Sequence, residues 1–412
     1  MTKQIFELWQ NLRKKMSENI LEKVLNYVPV VVSSLGELTG LDVSCESIIL
    51  KFLSDPNEID SSSVFQIQAV IDYMHERMNI GNWREVPLYI RKTLTIATYL
   101  RLLSHVKLAT DVGEEMLKEY FKIVDFGLLF GAPLDKEPML LQKCSACVSS
   151  LYTSKSINTH IDVNERKEPE YDLKNLNYIS LDVISCPSME SFYRDYILPG
   201  KPVILDNCID HWPALQKWKD PNYFIKVAGP RTVPIEIGKQ YTDSNWTQKL
   251  VTLEEFVNTY IYEKSGIAYL AQYQLFHHIP ELKRDIIEPE YCCFSDSNEP
   301  VDVMAWFGPK GTVSPLHYDP KKNLLSQVVG QKLIFLMSPD DSKHLYPHES
   351  ELLHNTSKVD PRNPDYDTYP EFKNAKTYYC TLKEGQMLYI PPKWWHFVES
   401  LSVSFSVSFW WS

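Results

Sequence analysis

The sequence predicts an α+β protein: an N-terminal α-helical domain followed by a double-sheet jelly-roll barrel. Three observations carry this. Residues 3–28 set apolar side chains three and four positions apart, the spacing of an amphipathic helix. The closing run, Ser402 to Trp410, alternates small polar with large apolar residues, as a strand with two unlike faces does. Between them, residues 154–176 turn polar and charged, the composition of a mobile linker. The expected division is therefore 1–153 helical, 154–176 linker and 177–412 barrel.

Taken in order, the periodicity continues through helices at 63–78, 91–106 and 111–129. The short basic cluster Arg13-Lys14-Lys15 reads as a solvated helix face rather than a nuclear signal. In the second half, Val303 to Phe307 reads as a strand, Gly308 to Gly311 as a turn, and Thr312 to Asp319 as the next strand. Asn323 to Gln327 mixes polar and apolar residues. Val328 to Met337 reads as one hydrophobic strand interrupted by Gly330, Gln331 and Lys332. Gly385 to Ile390 is a short strand stopped by Pro391-Pro392, which withhold the N–H groups a ladder needs. Many short strands around a partly polar interior fit a jelly roll.

The chemistry sits on these strands. His317 and Asp319 are two residues apart, so a strand sends both side chains to one face. His396, in the aromatic setting Trp394-Trp395-His396-Phe397, arrives from a distant strand and completes two histidines and one carboxylate. That set leaves coordination positions open and is the usual site of non-haem Fe(II) oxygenases. With eleven histidines in the chain, His-x-Asp alone says little; the shared barrel is what weighs against a plain core histidine. Lys332 shares a strand face with Ile334 and Leu336. Either it snorkels at an edge, or it is the counter-ion of an acidic cosubstrate, since a buried ammonium needs an anion.

These motifs, with Pro199 to Leu205, His211 to Ala214, YLAQYQLF (269–276), AWFGPKGTVSPLHYDP (305–320), LYPHESELLHNTS (345–357) and the ending SFSVSFWWS, resemble the JmjC branch of Fe(II)/2-oxoglutarate oxygenases. The resemblance covers roughly residues 178–412 strongly and implies a cupin-like double-stranded β-helix. It makes His317, Asp319 and His396 the iron ligands, with 2-oxoglutarate and O2 as cosubstrates. Tyr269, Ser314, Asn323, Lys332 and Trp410 match positions that contact 2-oxoglutarate. Glu236 and Trp306 match positions near a substrate arginine, where a carboxylate can pair with guanidinium and an indole can stack on it.

Composition narrows the class. No stretch approaches the about eighteen apolar residues of a membrane span, and no signal peptide opens the chain. Asn245 and Asn355 head idle glycosylation matches, and Cys144-x-x-Cys147 lacks a second pair at zinc spacing. A nuclear or cytoplasmic monomer is expected. The net charge of −11 disfavours direct nucleic-acid binding and weakly favours a cationic protein substrate, chromatin-associated or ribosomal. Two enzyme readings compete: arginyl hydroxylation and methyl-lysine demethylation, which share one iron chemistry. Glu236 suits a guanidinium better than a methylated ammonium, and no cysteine-rich reader module follows Ser412, so hydroxylation is preferred. A non-catalytic scaffold has no need of His317, Asp319, His396 and Lys332 together.

Overall fold

The computed structural model describes residues 20–54, 59–109, 112–152 and 178–412. The expected linker 154–176, the cluster 13–15 and the first part of the 3–28 helix lie outside the described residues. The chain forms two compact units, Met1–Ser154 with Pro230–Thr232, and the remainder.

In the first unit the expected opening helix is broken. A helix at Ile20–Leu25 stops, and a new one starts at Val28–Ser34 with Pro29 in its first turn. Proline lacks an N–H to donate backwards, so it starts a helix more readily than it continues one. Further helices span Val43–Ser54, Ser61–Met78, Leu88–Leu108, Glu114–Phe130 and Leu140–Ser149. The one at Ser61 begins where Asp60 Oδ1 accepts from Ser63 N while Ser63 Oγ accepts from Asp60 N, a reciprocal cap. Gly127 lets Glu114–Phe130 press close: a Cβ there would lie 2.7 Å from Thr98 Cγ2. Cys144 is buried and Cys147 half-buried on the last helix. No described helix is long and apolar enough to cross a membrane.

The second unit holds fourteen described strands: β1 Ile179–Ser180, β2 Val183–Ser185, β3 Val203–Asp206, β4 Thr232–Ile237, β5 Thr247–Thr252, β6 Ala268–Tyr273, β7 Asp302–Gly308, β8 Val313–Tyr318, β9 Lys322–Val329, β10 Lys332–Met337, β11 Thr377–Leu382, β12 Met387–Ile390, β13 Trp395–Ser400 and β14 Ser404–Trp411. They form a five-stranded sheet, β1-β11-β10-β13-β8, and a nine-stranded sheet, β2-β3-β12-β9-β14-β7-β6-β4-β5. The two sheets make the cupin-like jelly roll. Leu325, Ile334, Leu336, Leu388 and Ile390 pack between them. On β14, Phe405, Val407 and Phe409 join Trp212, Trp218 and Phe307 in the core on the other side of the larger sheet. The intervening serines turn the opposite way, Ser404 and Ser406 to Gln327 and Ser408 to Trp306.

Two sequence expectations change. Val328 to Met337 is not one strand. The chain turns at Gly330, at φ +75°, where a Cβ would meet Val403 O at 2.1 Å, and β10 begins at Lys332. Asp319 lies one residue past β8 rather than inside it.

Candidate metal centre and its cavity

Strand pairing brings the histidines together. His317 on β8 stands directly opposite His396 on β13. Opposed residues of an antiparallel pair share a face; here the ring centroids are 4.3 Å apart. Past His396 the register shifts, so Val398 pairs with Ser314. This bulge solves a parity problem. Ser314 and His317 are three residues apart and would face opposite ways on a regular strand, yet both line the cavity. Asp319 completes the group, and one ligand atom from each of the three residues lies within 4.8 Å of the others.

The same local device fixes both imidazoles. His317 Nδ1 lies 2.7 Å from Pro315 O, and His396 Nδ1 lies 3.0 Å from Trp394 O. A carbonyl can only accept, so each Nδ1 carries the proton and each Nε2 keeps its lone pair free for a metal. Burial, and then the neighbouring His317, hold His396 below the ordinary histidine range, which keeps it neutral. Asp319 Oδ2 is buried without a hydrogen-bond donor among the described residues and sits 3.6 Å from His396 Nε2. Two lone pairs and an unsatisfied carboxylate oxygen in one place fit a divalent cation.

The cavity continues to Lys332, whose Nζ donates to Tyr269 Oη at 3.0 Å. Lys332 is 1% exposed and has no carboxylate partner among the described residues. Burial alone pulls its ammonium down to about 7. Burial, and then the charge of Glu236, pushes the Tyr269 phenol up, and a hydrogen bond with Ser314 opposes this. Asn323 and Trp410, opposite each other on β9 and β14, both line the cavity. Their buried Oδ1 and Nε1 lack partners among the described residues. A buried cation without an anion, beside unmet polar atoms, fits a small dicarboxylate.

Of the sequence-predicted residues, His317, Asp319, His396, Tyr269, Ser314, Asn323, Lys332, Trp410 and Trp306 all line this one cavity. Glu236 is not part of its lining. It pairs with Tyr269 across β4 and β6 and accepts from Trp246 Nε1 at 3.1 Å. Burial raises the Glu236 carboxyl, and the Trp246 hydrogen bond partly opposes it. Trp246 and Tyr241 were missed from sequence. Tyr241 bonds Thr356 Oγ1 at 3.2 Å, and its phenol is pushed up by burial and further by the charges of Asp319 and Glu236. No spacing rule marks either residue, because both come from the irregular chain after β4.

A family model described as a cupin-like domain matches residues 189–412. Lysine-specific demethylase 8 of Danio rerio is 39% identical over 417 residues, covering 98% of this chain and 99% of its own length. The protein of the same name from Xenopus tropicalis is 39% identical over 394 residues, 84% of this chain and 88% of its own. Jumonji C domain-containing protein 5 of Drosophila melanogaster is 40% identical over 356 residues, 84% and 86%.

Proposed function

The chain belongs to the cupin-like JmjC family of Fe(II)- and 2-oxoglutarate-dependent oxygenases, and from that premise we propose that it hydroxylates an arginine side chain in protein substrates. When bound, Fe(II), 2-oxoglutarate and O2 supply the oxidant: one oxygen atom enters the substrate, the other enters succinate, and carbon dioxide leaves. His317 and His396 donate through Nε2, and Asp319 through its unsatisfied oxygen. Lys332 and the Tyr269 hydroxyl hold the distal carboxylate by charge-assisted hydrogen bonds, with Ser314, Asn323 and Trp410 around it. The rings of Trp306 and Trp410 meet edge to face at 6.3 Å and wall the cavity.

Glu236 carries the substrate assignment. Its carboxylate is half-buried, anchored through one oxygen by Trp246, and adjoins the cavity through Tyr269. A guanidinium offers paired N–H donors to such a group, whereas a trimethylammonium offers none. The acidic chain, at −11, suits basic segments of chromatin-associated or ribosomal proteins in the nucleus or cytoplasm. The second reading, N-methyl oxidation with release of formaldehyde, is supported by the names of the Danio and Xenopus relatives. Mass spectrometry on arginine and methyl-lysine peptides incubated with Fe(II), ascorbate and 2-oxoglutarate separates them. Gain of one oxygen on unmodified arginine is the expected result; loss of a methylene from methyl-lysine, with arginine untouched, overturns it.

A further inference from the structure

Behind the metal-bearing strand lies a second cavity of about 350 Å³. Pro315 and Leu316 of β8 form part of its wall, and the Pro315 carbonyl is the one that orients His317. The two cavities share a partition. Tyr241 turns to Thr356 and towards the charges of Asp319 and Glu236, while its neighbours Gln240 and Thr242 line the second cavity. Thr356 forms a bridge with His317, while Ser357 and Lys358, next along the chain, line the second cavity. Tyr241, in a turn, and Thr356, at an isolated bridge, thus lie on the metal side, while the residues that flank them in the chain line the new space. Leu316, Val359 and Phe397, all buried, make an apolar part of its floor, while its rim is polar and at least partly exposed at Gln240, Thr242, His348, Lys358 and Asp360.

We propose that this cavity is the subsite for a large apolar side chain, of the leucine, methionine or phenylalanine class, two residues from the arginine that is oxidised; it rests on the arginine reading of the metal cavity. Continuity selects this occupant over a free small molecule. The chain that carries Glu236 runs directly into the cavity rim, and it is pinned to β8 where Val313 N donates to Lys239 O. A peptide whose arginine reaches Glu236 therefore crosses the partition beside Thr242. In an extended peptide, residues two apart point the same way at about 7 Å separation. The side chain two places from the arginine then meets the next depression, and an apolar floor selects an apolar side chain.

The test uses the full-length enzyme with Fe(II) and three peptides: arginine in an all-glycine-and-serine background, and the same peptide with leucine two residues before or two residues after. Peptide-stimulated 2-oxoglutarate consumption gives KM and kcat, and mass spectrometry gives the product. Leucine on one side is expected to lower KM at least about fivefold with kcat little changed. Thr242→Trp, which fills the rim, is expected to cancel that gain while leaving the plain peptide's KM unchanged; Lys358→Trp serves if the first variant does not fold. The subsite is overturned if neither leucine lowers KM, or if the filled variants weaken plain and leucine peptides equally. A parallel methyl-lysine series separates the two failures. If only methyl-lysine peptides turn over, the arginine reading falls, and the leucine dependence in that series still decides the subsite.

Discussion

At the metal end of the cavity, His317 and His396 face each other in one antiparallel pair, and each ring is fixed by a carbonyl two residues upstream. At the proposed substrate end, beside the cavity rather than in its lining, Glu236 is held by one indole N–H from the irregular chain before β5. The first arrangement is written into backbone register, so it can be changed only by replacing a ligand. The second hangs on loop side chains, where a substitution alters what is accepted without touching the scaffold. On the proposed reading, the reaction and the choice of substrate rest on different kinds of structure, and variants at the metal group and at Glu236 should separate accordingly.

The largest effect is expected at the metal end. Asp319→Ala removes the one carboxylate of the donor set. Even partners of metal ligands typically cost roughly 10–100-fold when lost, so a ligand should cost more than about 100-fold in turnover. Iron content after gel filtration should fall in parallel, with the far-ultraviolet dichroism spectrum unchanged. Full iron retention by the variant would dissolve the contrast between the two ends.

Lys332 comes next, and it sets function against stability. A lone buried ammonium is a cost to the fold, and an apolar replacement of similar volume often stabilises. Lys332→Met should raise Tm without cosubstrate while raising the 2-oxoglutarate requirement well over tenfold and sparing metal binding. The pH dependence has a definite sign. The folded protein gives up this proton near 7, whereas the unfolded chain keeps it to about 10.4. Between those values the unfolded state binds more protons, so the Lys332 contribution to stability grows as pH rises through the window. Below it both states are charged and the burial cost is felt in full. The variant should lack this part of the slope, and saturating 2-oxoglutarate should flatten it in the parent. Identical slopes would mean that Lys332 is already neutralised by another group.

How much of this was legible in the sequence follows the same division. His317 and Lys332 could be placed from strand alternation, because a side-chain period of two is a local property, whereas Asp319 sits just past the end of β8. The pairing of His317 with His396, and the bulge that turns Ser314 inward, depend on long-range register that no local pattern encodes. The break at Gly330-Gln331 carries a local signal, since a glycine inside a strand pattern marks a sharp bend; here the chain passes from the larger sheet to the smaller. Asp60 with Ser63 likewise marks the true start of its helix. Trp246 and Tyr241 left no trace, since irregular chain has no period from which a facing direction can be read.

At the substrate end Glu236→Ala should lower arginine-peptide turnover by well over tenfold, since losing one partner of a desolvated charge pair typically costs about 2–5 kcal/mol. Substrate-free decarboxylation of 2-oxoglutarate should stay near the parent rate, because the metal ligands are intact. Glu236→Gln should fall between, keeping an acceptor but not the charge. Equal losses of coupled and uncoupled turnover would show that Glu236 supports the metal end instead.

The smallest and most discriminating effect is expected from Trp246→Phe. An aromatic ring is kept, though a smaller one, and the N–H that donates to Glu236 is lost. Burial already raises the Glu236 carboxyl, and this hydrogen bond is what opposes the rise. Without it the carboxyl should protonate at higher pH. Since only the ionised form pairs with guanidinium, the acid limb of kcat/KM for an arginine peptide should move upward. At neutral pH the loss should be modest, about threefold to tenfold, within the range of about 0.5–1.5 kcal/mol for a typical hydrogen bond. A merely structural tryptophan would lower activity at every pH without moving that limb. An unmoved limb would mean that Glu236 is positioned by something other than Trp246.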